Sequence, residues 1–214
     1  MIDIDKYYMC HYSKLTDRKK YVENVVSKYN IDLHWVYEYD KEQLDESELS
    51  KKFPYLYSGK SGRHLSLAEI SLTMKHYYVF LDVIKNNYKN VVVFEDDIVL
   101  VDDFDVKLKK YINQLPENYD LLWIGVCCNL HTPQTDPELN VYFNTHGSRC
   151  THAYVISNAA CRKLVDFYPN VCQVIDFYFN TAIKTLGLNN YWAEPALSTQ
   201  NIHFDSTLGC GTVI

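Results

Sequence analysis

The chain has 214 residues, of which 47% are hydrophobic and 14% aromatic. This composition excludes a disordered chain and predicts one globular domain over residues 1–214 with a sizeable core. The net charge is −6, and no long run of Lys and Arg occurs. We expect no nucleic-acid partner, because binding to phosphates needs clustered basic side chains.

The sequence shows no signal for a membrane or for disulfide bonds. No stretch reaches the roughly 20 consecutive apolar residues that a membrane-spanning helix needs. The acidic first residues are unlike a secretory signal peptide. The seven cysteines are odd in number and lack Cys-x-x-Cys spacing, which predicts reduced thiols and a cytoplasmic location.

The first predicted elements form a β-α-β unit. Residues 6–10 predict a strand, a helical apolar stripe follows with Asp17 as its N-cap, and residues 33–37 predict the next strand. Two strands joined by a helix are typical of a parallel sheet. The polar segment 38–64 is then predicted to be a long loop that contains one helical turn.

A long helix and a buried strand come next. Ser66 and Glu69 have the spacing of a capping box, which predicts a helix that begins there and ends near Asn86. Residues 91–94 read Val-Val-Val-Phe, a wholly apolar run typical of strands that are buried on both faces. Glu95, Asp96 and Asp97 follow this strand directly.

The rest of the chain alternates further helices and strands. Helices are predicted at 104–112, 158–167 and 175–186, and strands at 121–126, 153–156 and 191–193. Gly187 is suited to end the last helix, because glycine adopts the left-handed conformation of a C-cap. The alternation predicts an α/β/α sandwich with a mostly parallel central sheet.

The acidic triplet is the strongest functional signal. Residues that follow a buried strand lie at the carboxyl edge of the sheet, where α/β folds bind ligands. In extended backbone Glu95 and Asp97 point the same way, and two such carboxylates repel unless a cation or a proton lies between them. Oxygen ligands favour Mg²⁺ or Mn²⁺. The alternative interpretation is that the acids only stabilise a turn.

Several segments, in chain order, resemble glycosyltransferase family 25, which includes lipooligosaccharide and procollagen hydroxylysine galactosyltransferases. Residues 68–76 are similar to the family's Gly-Glu-Ile-Gly-Cys-x-x-Ser-His helix, and residues 92–97 to its apolar strand ending in Glu-Asp-Asp. Residues 153–157 resemble its Ala-Tyr-Leu-Ile-Ser segment, residues 174–176 its Pro-Val-Asp, and residues 195–200 its Pro-Pro-Leu-x-x-Gln.

Three residues depart from the family pattern within the helix. Ala68 and Ser71 stand where the family has glycines, and Lys75 stands where it has the serine before His76. The resemblance places this helix beside the donor, so the departures fall in the expected donor pocket.

The resemblance implies a GT-A-type, Rossmann-like fold and an inverting, metal-dependent transfer reaction. A hexose, galactose or glucose, would pass from a UDP-sugar to a hydroxyl of a glycan or of hydroxylysine in a collagen-like chain, with Mn²⁺ or Mg²⁺ as cofactor. Two other classes stay open. One is a Mg²⁺-dependent nucleotidyltransferase or phosphohydrolase that uses the same acidic edge, and the other is a non-catalytic sugar-binding module.

The resemblance also assigns roles within the acidic triplet. Asp97 would ligate the cation directly, Glu95 would assist, and Asp96 would reach the ribose or the sugar of the donor. His203, which follows the last predicted strand, is a candidate further metal ligand. An ordinary surface histidine is the alternative for that position.

The candidate general base is Asp176, because an inverting transfer needs a base near the acceptor hydroxyl. The alternative is a helix N-cap, and one residue can serve both roles. His11 and Arg18 follow the first strand, where the base and phosphates of the donor would lie. Glu69 and His76 are further donor-contact candidates, with a capping-box role and core packing as their alternatives.

Overall fold

The computed structural model describes residues 2–57, 64–125, 131–170 and 173–204. Within these ranges the strands are β1 (Lys6–Cys10), β2 (Leu33–Val36), β3 (Asn90–Glu95), β4 (Ile98–Leu100), β5 (Leu121–Trp123), β6 (Val141–Phe143), β7 (Ala153–Ser157), β8 (Asn190–Ala193) and β9 (Ser198–Gln200). The helices are α1 (Thr16–Val26), α2 (Glu46–Lys52), α3 (Leu67–Asn86), α4 (Phe104–Ile112), α5 (Asn158–Phe167) and α6 (Ile175–Leu186).

Seven strands form the central sheet in the order β2-β1-β3-β7-β5-β8-β6. Only β7 and β6 run opposite to the others, as their antiparallel pairings with β3, β5 and β8 show. The prediction of a mostly parallel sheet is therefore confirmed. The strands β4 and β9 pair with each other in a separate two-stranded sheet.

Helices cover both faces of the sheet, because its central strands are apolar on both sides. Val91 and Val93 of β3 belong to a core that includes residues of α3, α5 and α6. Val92 and Phe94 point to the other face and pack in a core with residues of α1 and α4. All four side chains are fully buried. This arrangement confirms the predicted α/β/α sandwich.

Local signals set the ends of the long helices. At the start of α3, the Ser66 side chain accepts from the Glu69 backbone N–H, and the Glu69 side chain accepts from the Ser66 N–H. The predicted capping box is thus confirmed. Gly187 has a φ of 60° and ends α6 in the left-handed conformation, also as predicted.

Two local predictions were wrong. Segment 38–64 contains more helix than the one turn predicted, because α2 spans 7 residues within it, with the side chain of Asp45 as its N-cap. The N-cap of α1 is Leu15, and Asp17 lies in the first turn instead. There its charge still faces the positive end of the helix dipole. The short strands β4, β6 and β9 were not predicted, since three residues are too few to show a periodic pattern.

Among the described cysteines, the prediction of reduced thiols was wrong for Cys150. Cys10 and Cys161 are buried free thiols, but Cys150 is disulfide-bonded. Spacing along the chain does not reveal a pairing that depends on how the fold brings two residues together. The remaining cysteines, like the glycine-rich segment 58–62, lie outside the described residues.

No helix within the described ranges is both long enough and apolar enough to cross a membrane.

Candidate active site

A cavity of about 450 Å³ opens at the carboxyl edge of the sheet. Parallel strands β1 and β3 end there, so the residues after them meet although they lie far apart in sequence. The first turns of α3 and the segment that follows β9 complete the walls. The polar and aromatic lining includes His11, Tyr12, Arg18, Lys75, Glu95, Asp96, Asp97, Gln200 and Phe204.

Asp96 connects two residues that the sequence placed at the donor. Its Oδ2 lies 2.7 Å from Nδ1 of His11, and its Oδ1 accepts from the Arg18 guanidinium at 2.8 Å. The Arg18 guanidinium also lies over the ring of Phe204, 4.9 Å from its centroid. Both oxygens of Asp96 therefore face protein groups, and its direct contact with a donor stays a prediction.

Of the three acids, Asp97 has a buried oxygen that is available to a ligand. Its Oδ2 accepts a hydrogen bond from the Gln200 side chain at 3.0 Å. Its Oδ1 is buried and has no hydrogen-bond partner in the described part of the chain. Burial, together with the negative charges of Glu95 and Asp96, raises the pKa of Asp97 to about 7, although Arg18 and Gln200 act to lower it. A cation beside Oδ1 would relieve this crowding of negative charge.

The carboxylate of Glu95 contacts two buried side chains behind the cavity wall. Its Oε1 lies 3.2 Å from Nε2 of His76 and accepts a hydrogen bond from the Thr151 hydroxyl. Burial alone would raise the pKa of Glu95, but the interactions with His76 and Thr151 outweigh it, so the pKa is lowered. Glu95 thus stays an anion at the edge of the cavity. No local pattern marks Thr151, which lies 56 positions from Glu95.

His76 lies behind the cavity wall and interacts with two of its lining residues, Glu95 and Cys10. It is fully buried, and the lining of the cavity does not include it. Its second ring nitrogen, Nδ1, lies 2.7 Å from the Tyr154 hydroxyl. Burial lowers the pKa of His76, but Cys10 and Glu95 raise it to about 10. Direct contact of His76 with the donor stays a prediction. The structure shows the alternative, in which His76 packs in the core.

Asp176 and Glu69 lie in the first turns of α6 and α3, and neither is among the residues that line the cavity. Asp176 lies in the first turn of α6, partly buried, and its Oδ1 accepts from the Phe177 backbone N–H at 2.8 Å. Burial raises the pKa of Asp176 to about 6, and the negative charges of Glu95 and Glu69 contribute. Glu69 forms the capping box and is almost fully buried. The negative charge of Glu69 therefore affects the site by raising the pKa of Asp176.

The predicted metal ligands are only partly brought together. Glu95 and Asp97 line the same cavity, but His203 is exposed and is not among the lining residues. No group of three His, Cys, Asp or Glu side chains suited to a metal occurs among residues 2–57, 64–125, 131–170 and 173–204. The unpartnered Asp97 Oδ1 and its hard oxygen neighbours nevertheless fit a cation that also binds substrate oxygens and water.

Lys75, which departs from the family pattern, forms a buried ion pair with Asp40. Its ammonium is buried and donates to Asp40 Oδ1 at 2.7 Å and to the carbonyls of Val36 and Glu38. The other oxygen of Asp40 accepts from the backbone N–H and the hydroxyl of Ser13. Lys75 thus ties the loops after β1 and β2 to α3 at the wall of the cavity. The sequence did not reveal this, because Asp40 lies 35 positions away.

The chain matches a known family over most of its length. Residues 4–179 match the family described as Glycosyltransferase family 25 (LPS biosynthesis protein). Procollagen galactosyltransferase 2 of Homo sapiens is 25% identical over 174 residues, covering 77% of this chain and 28% of that protein. Inactive glycosyltransferase 25 family member 3 of Mus musculus is 29% identical over 119 residues, covering 51% of this chain and 19% of that protein.

The chain therefore spans less than a third of the length of these curated relatives. Among solved structures, it aligns with one described as a glycosyltransferase involved in the glycosylation of the major capsid of PBCV-1. That alignment has a TM-score of 0.47 and 8% identity, and it covers 97% of this chain and 94% of the other.

Proposed function

Because the chain belongs to glycosyltransferase family 25, we propose that it transfers a hexose, galactose or glucose, from a UDP-sugar to a hydroxyl group of an acceptor. The observation that carries this proposal is the buried, unpartnered oxygen of Asp97 in a cavity at the carboxyl edge of the sheet. A nucleotide-sugar brings a diphosphate and the cation that accompanies it, and these suit such an edge.

The donor is bound by the groups that line the cavity. Arg18 supplies a positive charge near the diphosphate, although it is already engaged by Asp96. Tyr12 and Phe204 supply aromatic surface against which a base or a sugar can pack. Lys75, which the family pattern does not contain, holds the walls together through Asp40.

The metal cofactor, Mn²⁺ or Mg²⁺, would be held by Asp97 with help from Glu95. When bound, such an ion supplies positive charge for the departing diphosphate. The remaining ligands would be substrate oxygens and water, as is usual for these ions. His203 is a weaker candidate, because it is exposed and is not part of the cavity lining.

Asp176 is the proposed general base of an inverting transfer. Its carboxylate takes the proton of the acceptor hydroxyl while that oxygen forms a bond to the anomeric carbon. The bond between the anomeric carbon and the diphosphate oxygen breaks on the opposite face, and UDP leaves with the electron pair. A pKa of about 6 leaves Asp176 ionised at neutral pH yet basic enough to take a proton.

The names of the family and of one relative support two classes of acceptor. The family is described as an LPS biosynthesis family, which favours a glycan acceptor. One relative is a procollagen galactosyltransferase, which favours hydroxylysine in a collagen-like chain. Both acceptors present a hydroxyl group, as the base mechanism requires.

Release of UDP tests this function directly. The protein is incubated with a panel of UDP-sugars, Mn²⁺ and both acceptor types, and we expect UDP release that depends on the acceptor. Relatives of the chain include a protein named inactive, so binding of UDP-sugars without turnover would instead indicate a sugar-binding module. Phosphate or pyrophosphate release from a nucleotide would indicate a phosphohydrolase or nucleotidyltransferase.

A further inference from the structure

An aromatic side chain next to the proposed base is exposed. Phe177 follows Asp176 in the first turn of α6, and 57% of its surface is accessible to solvent. The next two residues of the helix, Tyr178 and Phe179, are fully buried, so they and not Phe177 anchor α6 to the core. An exposed apolar side chain alone does not indicate a ligand, and its position has to show what it can bind.

The first turn of α6 lies at the same edge of the sheet as the cavity. The short connection 187–189 joins the end of α6 to the start of β8, and β8 runs in the same direction as β1 and β3. The helix therefore ends near the amino edge of the sheet and begins near the carboxyl edge, where the acidic triplet lies. Phe177 and Asp176 are thus both placed on the side from which a substrate approaches.

The geometry of a helix directs the ring of Phe177 toward the start of α6. Each Cα–Cβ bond of an α-helix tilts toward the N-terminus, so a side chain covers the surface that lies N-terminal to its own Cα. For Phe177 this surface is the open end of the helix beside Asp176, since consecutive Cα atoms are about 3.8 Å apart. A molecule that brings a hydroxyl group to the Asp176 carboxylate therefore comes within reach of the ring.

Residues 147–151 connect the start of α6 to the acidic triplet through hydrogen bonds. The Asn180 side chain of α6 donates to the carbonyl of Ser148 at 3.1 Å. Thr151, at the other end of this segment, donates from its hydroxyl to Glu95. Because both contacts belong to one short segment, the start of α6 is held in a defined position relative to Glu95. A site that is preorganised in this way loses less conformational freedom when a ligand binds.

The chemistry of the acceptor determines how it can use an exposed aromatic ring. A pyranose carries hydroxyl groups around its rim and C–H groups on its faces, so a ring can pack against one face while the hydroxyls stay free to react. A hydroxylysine side chain has no such face, and only its ammonium group could lie over the ring, as a cation. The larger apolar contact is the one with a sugar, and the exposed ring therefore favours a saccharide acceptor.

We infer that Phe177 binds the acceptor, with its ring packed against the face of the pyranose whose hydroxyl group meets Asp176. The inference rests on the proposed function, because it takes Asp176 to be the base of a transfer reaction. It assigns Phe177 to the acceptor and not to the donor, whose cavity is not lined by this residue. A change of Phe177 should therefore act on the KM of the acceptor and leave the affinity for UDP as it is.

Steady-state kinetics of Phe177→Ala test the inference. UDP release from UDP-galactose and UDP-glucose is measured with Mn²⁺, and the acceptors are the methyl glycosides of galactose, glucose and N-acetylglucosamine and a peptide that contains hydroxylysine. We expect the KM of the saccharide acceptor to rise about tenfold, with a smaller change in kcat. Phe177→Tyr should restore the KM, because tyrosine keeps the ring. The affinity for UDP, measured by calorimetry, should be the same in both variants and in the wild type.

Phe143→Ala is the matched control. Phe143 is also 57% exposed, but it lies in the outermost strand, β6, and pairs with Tyr191 near the start of β8, toward the amino edge of the sheet. This variant should leave the KM of the acceptor unchanged. An equal rise of the KM in both alanine variants would overturn the inference, because the position of the ring would then not matter. Failure of Phe177→Tyr to restore the KM would also overturn it.

The inference and the proposed function fail in different ways. If the wild-type protein releases no UDP from any UDP-sugar, the proposed function fails and the inference fails with it. If UDP is released but no saccharide serves as acceptor, the reaction of the donor stands and the role of Phe177 in binding a sugar is wrong. The same conclusion follows if Phe177→Ala uses the saccharide acceptors with the KM of the wild type.

Discussion

Nε2 of His76 lies 3.2 Å from Oε1 of Glu95, while Nδ1 of the same ring lies 2.7 Å from the hydroxyl of Tyr154. The imidazole therefore joins α3 to two neighbouring strands, β3 and β7, directly beneath the acidic edge. Through this contact a fully buried residue that does not line the cavity positions a carboxylate that does.

Replacement of His76 by Phe is expected to destabilise the protein. The variant leaves the Tyr154 hydroxyl without this partner and removes one of the hydrogen bonds that hold Glu95. A buried polar group without a partner costs about 1–3 kcal/mol, which chemical denaturation can measure. His34→Phe serves as the control for the same change of side chain. A His76→Phe protein as stable as the wild type would contradict the positioning role.

Replacement of Asp97 by Asn is expected to abolish metal-dependent turnover. The amide keeps the shape of the side chain but removes the charge that a cation needs. We expect Mn²⁺ binding in the presence of UDP to be lost, and UDP release to fall about 100-fold or more. Chelation of the metal from the wild-type protein should have the same effect. Asp105→Asn, at an exposed acid in the first turn of α4, should change neither measurement.

The kinetic effect of Asp176→Asn follows from its role as the base. Loss of the carboxylate should lower kcat by about 10²–10⁴-fold, while the affinity for UDP stays unchanged because the donor is bound elsewhere. In the wild type, kcat/KM should fall as the pH drops below about 6, since the base becomes protonated. A variant that retained full kcat would exclude Asp176 as the base.

The same substitution is expected to stabilise the fold at neutral pH. The pKa of Asp176 is raised from 3.8 to about 6 in the folded protein, so the folded state binds its proton more tightly than the unfolded chain does. That stabilisation is complete below about pH 4 and is lost as the pH rises through about 6. At pH 8 Asp176→Asn should therefore be about 1–2 kcal/mol more stable than the wild type, given partial solvation.

Unfolding measured at pH 4 and pH 8 separates this effect from others. The difference between the variant and the wild type should grow between the two pH values. A variant that gained the same stability at both values would show that the charge of Asp176 is not its cause.

The buried pair of Lys75 and Asp40 provides a test of what shapes the cavity. Lys75→Met leaves the charge of Asp40 buried without its main partner and should cost about 3–5 kcal/mol. Asp40→Asn in the same chain removes that charge but keeps an acceptor for Ser13. We expect the double variant to recover much of the loss in a denaturation experiment. No recovery would mean that Lys75 acts through its contacts with Val36 and Glu38.

The elements that sequence patterns predicted are those whose signals lie close together in the chain. The capping box needs only Ser66 and Glu69, and the C-cap needs only Gly187. The apolar run 91–94 and the acids after it also lie within seven residues. Such patterns report local hydrogen bonds and the burial of one strand, and neither depends on which other elements pack nearby.

The sequence by itself thus determined the α/β class, the position of the acidic triplet at the end of a buried strand, and the family. Only the tertiary structure decided which side chains of the site contact one another. Asp96 meets His11 and Arg18 across 85 and 78 positions, and Asp97 meets Gln200 across 103. These contacts depend on the order of strands in the sheet and on the packing of helices over it, so the sequence alone does not reveal which oxygens remain available for a ligand.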